Sequence, residues 1–312
     1  MTAAVPAIAT DGAASSGTDA FTTTDWAVFT SIAAIWGASF LFIAVGLESL
    51  EPGVVTLLRV GLGAAILNLL PGDRVRIAPA DRPRLVAVSV IWVGIPFTLF
   101  PLAEERINSA VTGLLNGATP MFVALFAVLF FGRRTTGPQL VGVAVGFAGI
   151  VLISAPSLGE GSTQAAGVAL VLLATFCYGL ATNLVVPLQL RYGSRAVMAR
   201  MLALATVWTL PFGIAGLGDS SVEARPIAAV AVLGLVGTGL AFLLMGTLVG
   251  RVGATRASFI TYLIPVVALG LGVVFQGDHV EAPAIVGVVL VVTGAILAGR
   301  KEAEGRVSRS SR

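Results

Sequence analysis

The residues able to do chemistry in this chain are a few polar side chains set within long apolar runs. Arg59 is the most unusual, because it lies seven residues after Pro52 in an otherwise apolar stretch. A charge at such a depth in a membrane faces a cavity or a partner, or its long side chain reaches back to the interface. Two interpretations of Arg59 therefore stay open: a cation that lines or gates a cavity, and an interfacial arginine that pairs with Glu48 or Glu51.

Amide and hydroxyl side chains form a second group. Asn116 and Asn183 lie in apolar runs, where an amide needs hydrogen-bond partners. Asn116 precedes Pro120 by about one helical turn, and Thr261 precedes Pro265 by the same interval. A proline frees the backbone carbonyl one turn earlier, so these polar groups either bond the backbone of packed helices or contact a substrate.

Two aromatic residues correspond between the two halves of the chain. Trp36 aligns with Tyr178 when Gly37 is set on Gly179. Such a pair suits a flat or amphipathic solute, and aromatic core packing is the alternative. The candidate substrate-binding residues are Trp36, Ser39, Arg59, Asn116, Tyr178, Asn183, Thr261 and Tyr262, and the candidate hinges are Pro120 and Pro265.

The composition of reactive residues argues against several other kinds of chemistry. The chain has one cysteine, Cys177, and one histidine, His279, so neither a disulfide nor a metal centre is expected. There is no glycine-rich run with a lysine for nucleotide phosphates and no acid pair at mid-span. We expect no cofactor and no ATP-driven activity, and an intramembrane enzyme or a non-transporting membrane protein is the alternative function. Glu104 and Glu105, near a predicted helix end, stay open as proton carriers.

The elements that must position these residues are membrane-spanning helices. Hydrophobic residues make up 56% of the chain and charged residues 11%, whereas a soluble domain carries about 25% charged residues. A span needs about 20 apolar residues, and the sequence predicts an all-α polytopic membrane protein with ten of them. They are residues 26–46, 53–71, 84–102, 109–131, 137–154, 165–187, 197–217, 227–248, 254–275 and 283–299.

The second half of the chain repeats the first without gaps over a long stretch. Pro120 and Pro265 lie 145 positions apart, and the same offset sets Arg106 on Arg251 and Gly142-Val143 on Gly287-Val288. Each half contains five predicted spans, an odd number, so the halves enter the membrane from opposite faces. The predicted domains are a first repeat over 26–155 and a second repeat over 164–299.

Arginine and lysine alternate from turn to turn. They cluster in the turns after spans 2, 4, 6 and 8 and in the C-terminal tail, and the other turns are acidic or neutral. We call these two sides the basic face and the acidic face. The alternation places the basic face and both termini in the cytoplasm, with a disordered tail over 1–25 and a basic tail over 300–312. Since topology explains the scattered basic residues, no nucleic-acid partner is expected.

Several of these features together are characteristic of one family. The first span contains Trp36-Gly37-Ala38-Ser39-Phe40, and Leu58-Arg59 follows an acidic turn and Pro52. The fourth and ninth spans each carry a proline and lead to Gly132 or Gly277. Over about residues 26–299 the chain resembles the EamA-type ten-helix members of the drug/metabolite transporter superfamily. It departs from the family where Gly-Glu often ends those two helices, because Arg133 and Asp278 stand there instead.

This resemblance implies a secondary transporter in the cell membrane. It would move a small metabolite or drug-like solute by alternating access, as an exporter, with the small-molecule substrate and the lipid bilayer as its partners. We expect a central cavity bounded by spans 1, 3, 4, 6, 8 and 9. A mostly apolar wall with few polar groups favours a small amphipathic metabolite, such as an amino acid or a drug-like cation, over a multiply charged phosphate. The oligomeric state stays open.

Overall fold

The computed structural model describes residues 21–70, 75–130, 137–159, 161–252 and 254–307. Within these residues every regular element is helical, and ten helices have the apolar character of membrane spans. Eight are long enough to cross a bilayer, and the apolar parts of α9 and α10 are shorter. The all-α, ten-helix membrane fold predicted from the sequence is thereby confirmed. The helices are α1 Thr23–Gly46, α2 Pro52–Leu69, α3 Pro79–Glu104, α4 Ser109–Leu129, α5 Gly137–Gly159, α6 Ser162–Tyr192, α7 Ser194–Ala215, α8 Ala224–Val252, α9 Ile260–Gln276 and α10 Ala282–Val307.

Several helices continue beyond the apolar spans that the sequence predicts. Helix α6 runs to Tyr192 instead of residue 187, and α10 runs through the predicted basic tail to Val307. A helix is held by backbone hydrogen bonds and does not stop where the apolar run does. Residues 1–20 of the predicted disordered tail lie outside the described residues. The chain is helical from Thr23, where Thr22 and Asp25 form a capping box.

Helices α5 and α10, which are equivalent in the repeat, pack face to face through glycines. A methyl group added at Gly149 would lie 2.5 Å from the carbonyl oxygen of Gly287, and one at Gly294 would lie 2.5 Å from that of Gly142. Residue numbers thus rise along α5 as they fall along α10, so the two helices are antiparallel. Equivalent helices that run in opposite directions are the signature of inverted repeats.

A second pair of contacts obeys the same symmetry. Gly37 of α1 packs against Val267 of α9, and Gly179 of α6 packs against Phe122 of α4. A methyl group added at either glycine would lie 2.5 Å from the Cβ atom of its partner. Val267 and Phe122 are themselves 145 positions apart. The small residues let these helices approach closely, and the aligned glycines hold Trp36 and Tyr178 at equivalent heights in the two halves.

Helices α3 and α8 share an irregularity at equivalent positions. Each contains a π-helical turn, Ser89–Gly94 in α3 and Leu235–Leu240 in α8. Such turns insert an extra residue into the helix and are frequent at functional sites. In both helices the turn comes directly before the residues that face the centre of the bundle, Phe97 in α3 and Phe242 in α8.

Candidate functional site

Six helices meet in the middle of the molecule. Helix α1 packs on α8 and α9, α6 packs on α3 and α4, and α4 packs on α9. The sequence predicts a cavity between these six helices, and most of the candidate residues lie on them. The contacts of α1 with α8 and α9 are mirrored by those of α6 with α3 and α4, as the repeat requires.

An aromatic layer lies between these helices. We use this name for Trp36, Phe40, Phe97, Phe100, Tyr178 and Phe242. The ring centroids of Phe40 and Phe100 are 5.7 Å apart, those of Phe100 and Tyr178 are 5.8 Å apart, and those of Trp36 and Phe242 are 5.9 Å apart. Trp36 and Tyr178 are only partly buried. The layer offers flat apolar faces to an amphipathic solute.

Arg59 enters this layer from α2. It is 6% exposed, and its Nε donates a hydrogen bond of 3.3 Å to the hydroxyl of Thr238 on α8. Its guanidinium carbon lies 4.0 Å from the centroid of the Phe97 ring, which is a cation–π contact. Among the described residues no carboxylate forms an ion pair with Arg59, and Glu48 instead pairs with Arg225 at 2.8 Å. The guanidinium is therefore a buried positive charge that no carboxylate of the described residues contacts as an ion pair.

The hydroxyl groups near Arg59 mostly bond to the backbone. Ser39 is 3% exposed and donates to the carbonyl of Ile35 at 3.2 Å. Thr56 is fully buried and donates to the carbonyls of Pro52 and Phe97 at 2.8 and 3.0 Å. Because these hydroxyls are satisfied, the charge of Arg59 dominates the electrostatics of the layer.

Asn116 ends the first segment of α4, and Gly117 and Ala118 form a turn before the helix continues from Thr119. Pro120 cannot donate to the Asn116 carbonyl, which accepts a hydrogen bond of 2.8 Å from the Thr119 hydroxyl instead. The Asn116 side-chain oxygen Oδ1 is buried and has no hydrogen-bond partner. A buried acceptor without a donor costs free energy, so a hydrogen bond donated by a solute or by water would stabilise it.

The corresponding part of α9 presents a hydroxyl and a phenol. The Thr261 hydroxyl donates to the carbonyl of Ser258 at 2.8 Å, in the turn that precedes α9. The Tyr262 ring is partly buried, with its centroid 5.8 Å from that of Phe259. Pro265 packs against Gly117 of α4, so the two candidate hinge regions touch each other where α4 and α9 cross.

Asn183 is placed differently from the other candidates. Its Nδ2 donates to the carbonyls of Val123 at 3.2 Å and Gly179 at 3.0 Å. The amide thus links α6 to α4, which is one of the two interpretations that the sequence leaves open. In this conformation both hydrogen bonds go to backbone.

A cavity of about 330 Å³ opens at the acidic face, away from the aromatic layer. Glu104, Asn108, Ser157, Gln164, His279 and Glu281 contribute its polar lining. Both side-chain oxygens of Glu104 are buried and have no hydrogen-bond partner. From hydropathy alone, Glu104 is predicted at the end of a helix, where an acid is normally solvated. The burial of its oxygens is seen only in the packed structure.

Beside this cavity, the α9–α10 turn is bound to the start of α4. The Asp278 carboxylate accepts hydrogen bonds of 2.8 Å from the Ser109 hydroxyl and from the backbone N–H of Ala110. Asn108 donates from Nδ2 to the His279 carbonyl at 3.2 Å. We call these five residues the acidic-face latch. A carboxylate at a helix N-terminus is stabilised by the helix dipole.

Ion pairs join the helices on the basic face. Arg251 at the end of α8 pairs with Asp25 at the start of α1 at 2.6 Å. Arg191 at the end of α6 pairs with Asp81 at the start of α3 at 2.9 Å. The turn with Gly132 and Arg133, which corresponds to Gly277 and Asp278 in the repeat, lies outside the described residues.

Ten apolar helices in two inverted halves, with polar groups gathered between them, define a polytopic membrane transporter. Residues 25–155 and 165–300 each match the model of the EamA-like transporter family. The chain therefore belongs to that family, as the sequence resemblance predicts.

Proteins of similar sequence carry names of the same kind. The chain is 25% identical to an uncharacterized transporter of Archaeoglobus fulgidus, over 88% of this chain and 99% of the other. It is 27% identical to a probable terminal-alkyne amino-acid exporter of Streptantibioticus cattleyicolor, over 88% and 93%. It is 25% identical to a probable amino-acid metabolite efflux pump of Escherichia coli, over 84% and 90%.

A solved crystal structure shares the fold. It aligns with a TM-score of 0.63 at 18% identity, covering 89% of this chain and 99% of the other. Together with the family match and the named relatives, the fold establishes a multi-pass membrane protein that transports small molecules.

Proposed function

We propose that this chain exports a small amphipathic metabolite of the amino-acid class, acting as a secondary carrier and not as an enzyme. The observation that carries the proposal is the buried Arg59, which has aromatic faces beside it and no carboxylate partner. Burying an unpaired charge is costly unless something pairs with it. A substrate carboxylate would supply that pair, which favours an amino acid over a drug-like cation. The names of the similar exporter and efflux pump point to the same substrate class.

Binding would use the aromatic layer and Arg59 together. A guanidinium holds a carboxylate through two parallel hydrogen bonds, and Arg59 has donors left over because its described hydrogen bond uses only Nε. The apolar part of the solute would lie against Trp36 and Tyr178. The unpartnered oxygen of Asn116 offers a further acceptor on the α4 side of the bundle.

Movement would follow from the inverted repeats. Rocking the half at 26–155 against the half at 164–299 would expose the layer alternately to each side. Pro120 and Pro265 would act as hinges, since each leaves its helix without one backbone hydrogen bond. The alternating arginines orient the protein with the basic face and both termini in the cytoplasm, so export ends at the acidic face.

The test is transport by the purified chain in proteoliposomes. Radiolabelled amino acids are screened singly, and the best substrate is compared with its methyl ester. Losing a hydrogen bond to a charged group costs about 1.5–3 kcal/mol, so Arg59→Gln should raise KM for the acid roughly 10- to 100-fold. The ester, which lacks the charge, should be much less affected. Arg225→Gln, which changes an exposed arginine on the acidic face, is the control.

Two results would contradict this proposal. One is an Arg59→Gln variant whose KM for the acid equals that of the wild type. The other is a wild-type chain that moves no amino acid in either direction under any imposed gradient. Arg59→Lys separates charge from geometry: it keeps the positive charge but loses the paired donors, so an intermediate KM is expected.

A further inference from the structure

The carboxyl group of Glu104 lacks the partners that an anion needs. It ends α3, and both of its oxygens are buried without a hydrogen-bond donor. A carboxylate buried without a donor is strongly disfavoured, and the C-terminal end of a helix disfavours negative charge further. In this conformation the uncharged, protonated form is the one that its surroundings accommodate.

No neighbouring group forms an ion pair or donates a hydrogen bond to Glu104 among the described residues. The charged and titratable groups that act on Glu104 or line its cavity are Arg59 on α2, Asp278, His279 and Glu281 in the α9–α10 turn, and Glu105 and Arg106 in its own turn. Arg106 donates to the Leu102 carbonyl and pairs with Glu105 at 3.1 Å. Arg59 is near enough for its charge to interact with Glu104, but the two form no ion pair. Asp278 adds a second negative charge nearby.

A cavity at the acidic face lies beside Glu104. Glu104 lines the cavity of about 330 Å³, together with polar side chains that include Asn108, Ser157 and Gln164. The described residues contain no group of three or more His, Cys, Asp or Glu that could hold a metal ion. A proton, by contrast, needs only the carboxyl group itself.

We propose that Glu104 takes up a proton through the acidic-face cavity and that this proton is exchanged for the exported solute. This inference rests on the proposed export function, which it extends by naming the coupling ion and its site. One proton binds as the solute leaves at the acidic face, and the same proton is released at the basic face before the next solute binds.

The acidic-face latch connects this proton to the movement. Asp278 holds the α9–α10 turn on the N-terminus of α4. Ionised Glu104 would place a second negative charge near Asp278 and weaken that attachment, whereas protonated Glu104 leaves it intact. The protonated protein therefore closes its acidic face and opens again at the basic face. The deprotonated, solute-loaded protein opens its acidic face.

The first experiment observes the proton directly, without any solute. Infrared difference spectra of the full chain are recorded across a pH titration. A protonated-carboxyl band should be present at neutral pH in the wild type and in Glu105→Gln, and absent in Glu104→Gln. If the wild-type band persists unchanged in Glu104→Gln, or no such band titrates, the proposal is wrong.

The second experiment measures coupling with labelled phenylalanine as the probe. One proton exchanged against a one-unit pH gradient supports about tenfold accumulation. The wild type should reach it, whereas Glu104→Gln, which mimics the protonated form that closes the acidic face, should neither accumulate phenylalanine nor exchange it at equal concentrations. Thermal unfolding of Glu104→Gln in detergent at the wild-type temperature shows that the variant is folded. Undiminished accumulation by Glu104→Gln overturns the proposal.

The two experiments separate this inference from the function on which it rests. A titrating Glu104 band in a chain that carries no phenylalanine supports the proton site and counts against the amino-acid assignment. Phenylalanine exchange that no pH gradient drives in the wild type supports the carrier and overturns the proton coupling.

Discussion

The crossing of α5 and α10 gives the sharpest prediction about the fold. A methyl group at Gly149 would lie 2.5 Å from the Gly287 carbonyl oxygen, whereas ordinary contact begins at 3.4 Å. Gly149→Ala must therefore push the helices apart by about 1 Å, and overpacking of this kind costs about 1–3 kcal/mol. Because Gly294 meets Gly142 at the same distance, Gly294→Ala should be destabilised by a similar amount.

The control is Gly270→Ala, since a methyl group at Gly270 in α9 would have no atom within 4 Å. It shares the gain in helix propensity that alanine brings over glycine, so the comparison isolates the steric cost. In detergent, thermal unfolding of the two interface variants should lie below that of Gly270→Ala by at least about 2 °C, at about 2–4 °C per kcal/mol. Equal melting of all three would refute the close crossing, and an effect at Gly149 alone would refute the symmetry.

Two further predictions concern orientation and the aromatic layer. A membrane-impermeant thiol reagent applied to intact cells should label Asp219→Cys on the acidic face and spare Arg76→Cys on the basic face; the opposite pattern would reverse the proposed topology. Asn116→Ala should raise KM about 2- to 10-fold, because it removes an acceptor worth about 0.5–1.5 kcal/mol. Trp36→Ala should impair transport, and the exposed Trp26→Ala should not; if both behave like the wild type in proteoliposomes, the layer is not the binding site.

The scaffold was open to prediction because its signals are local or periodic. Ten apolar runs predict ten helices, and prolines and glycines that align between the two halves indicate the repeat. Five spans per half then require the inversion, which the antiparallel crossing at Gly149 and Gly287 bears out. The π-helical turns in α3 and α8 cannot be predicted in this way, since no single residue type marks them.

The site could be predicted only in part, because its contacts join distant parts of the chain. The depth of Arg59 follows from the distance to Pro52, but its bond to Thr238 crosses 179 positions of sequence. Its stacking on Phe97 likewise depends on how α2 and α3 pack. For Glu104 the difficulty is greater, because an acid at a helix end is solvated unless neighbouring parts of the fold bury it, as they bury both of its oxygens here.

Departures from the repeat show where the two halves differ in chemistry. Arg106 and Arg251 are equivalent, yet Arg251 pairs with Asp25 while Arg106 lies against Gly167. Asp25 lies at the start of the first helix of the first half, and Arg251 lies at the end of the third helix of the second half. In the same way, Gly167 lies near the start of the first helix of the second half, and Arg106 follows the third helix of the first half. The close approach is retained at both positions, but among the described residues Arg251 forms an ion pair with the first helix of the other half and Arg106 does not, so equivalent contacts on the two faces use different interactions.

The two buried ionisable groups also depart from the repeat, and this asymmetry bears on the direction of transport. Glu104 corresponds to Val249, an apolar residue packed on the core. Arg59 has its approximate counterpart in Arg200, which bonds the Val75 carbonyl at the basic face instead of entering the centre. A fully symmetric carrier would present the same chemistry to both sides and could not distinguish its two half-cycles. Because Arg59 and Glu104 both break the symmetry, the energetic difference between the inward and outward states must come from such residues, on a scaffold whose symmetry supplies the movement itself.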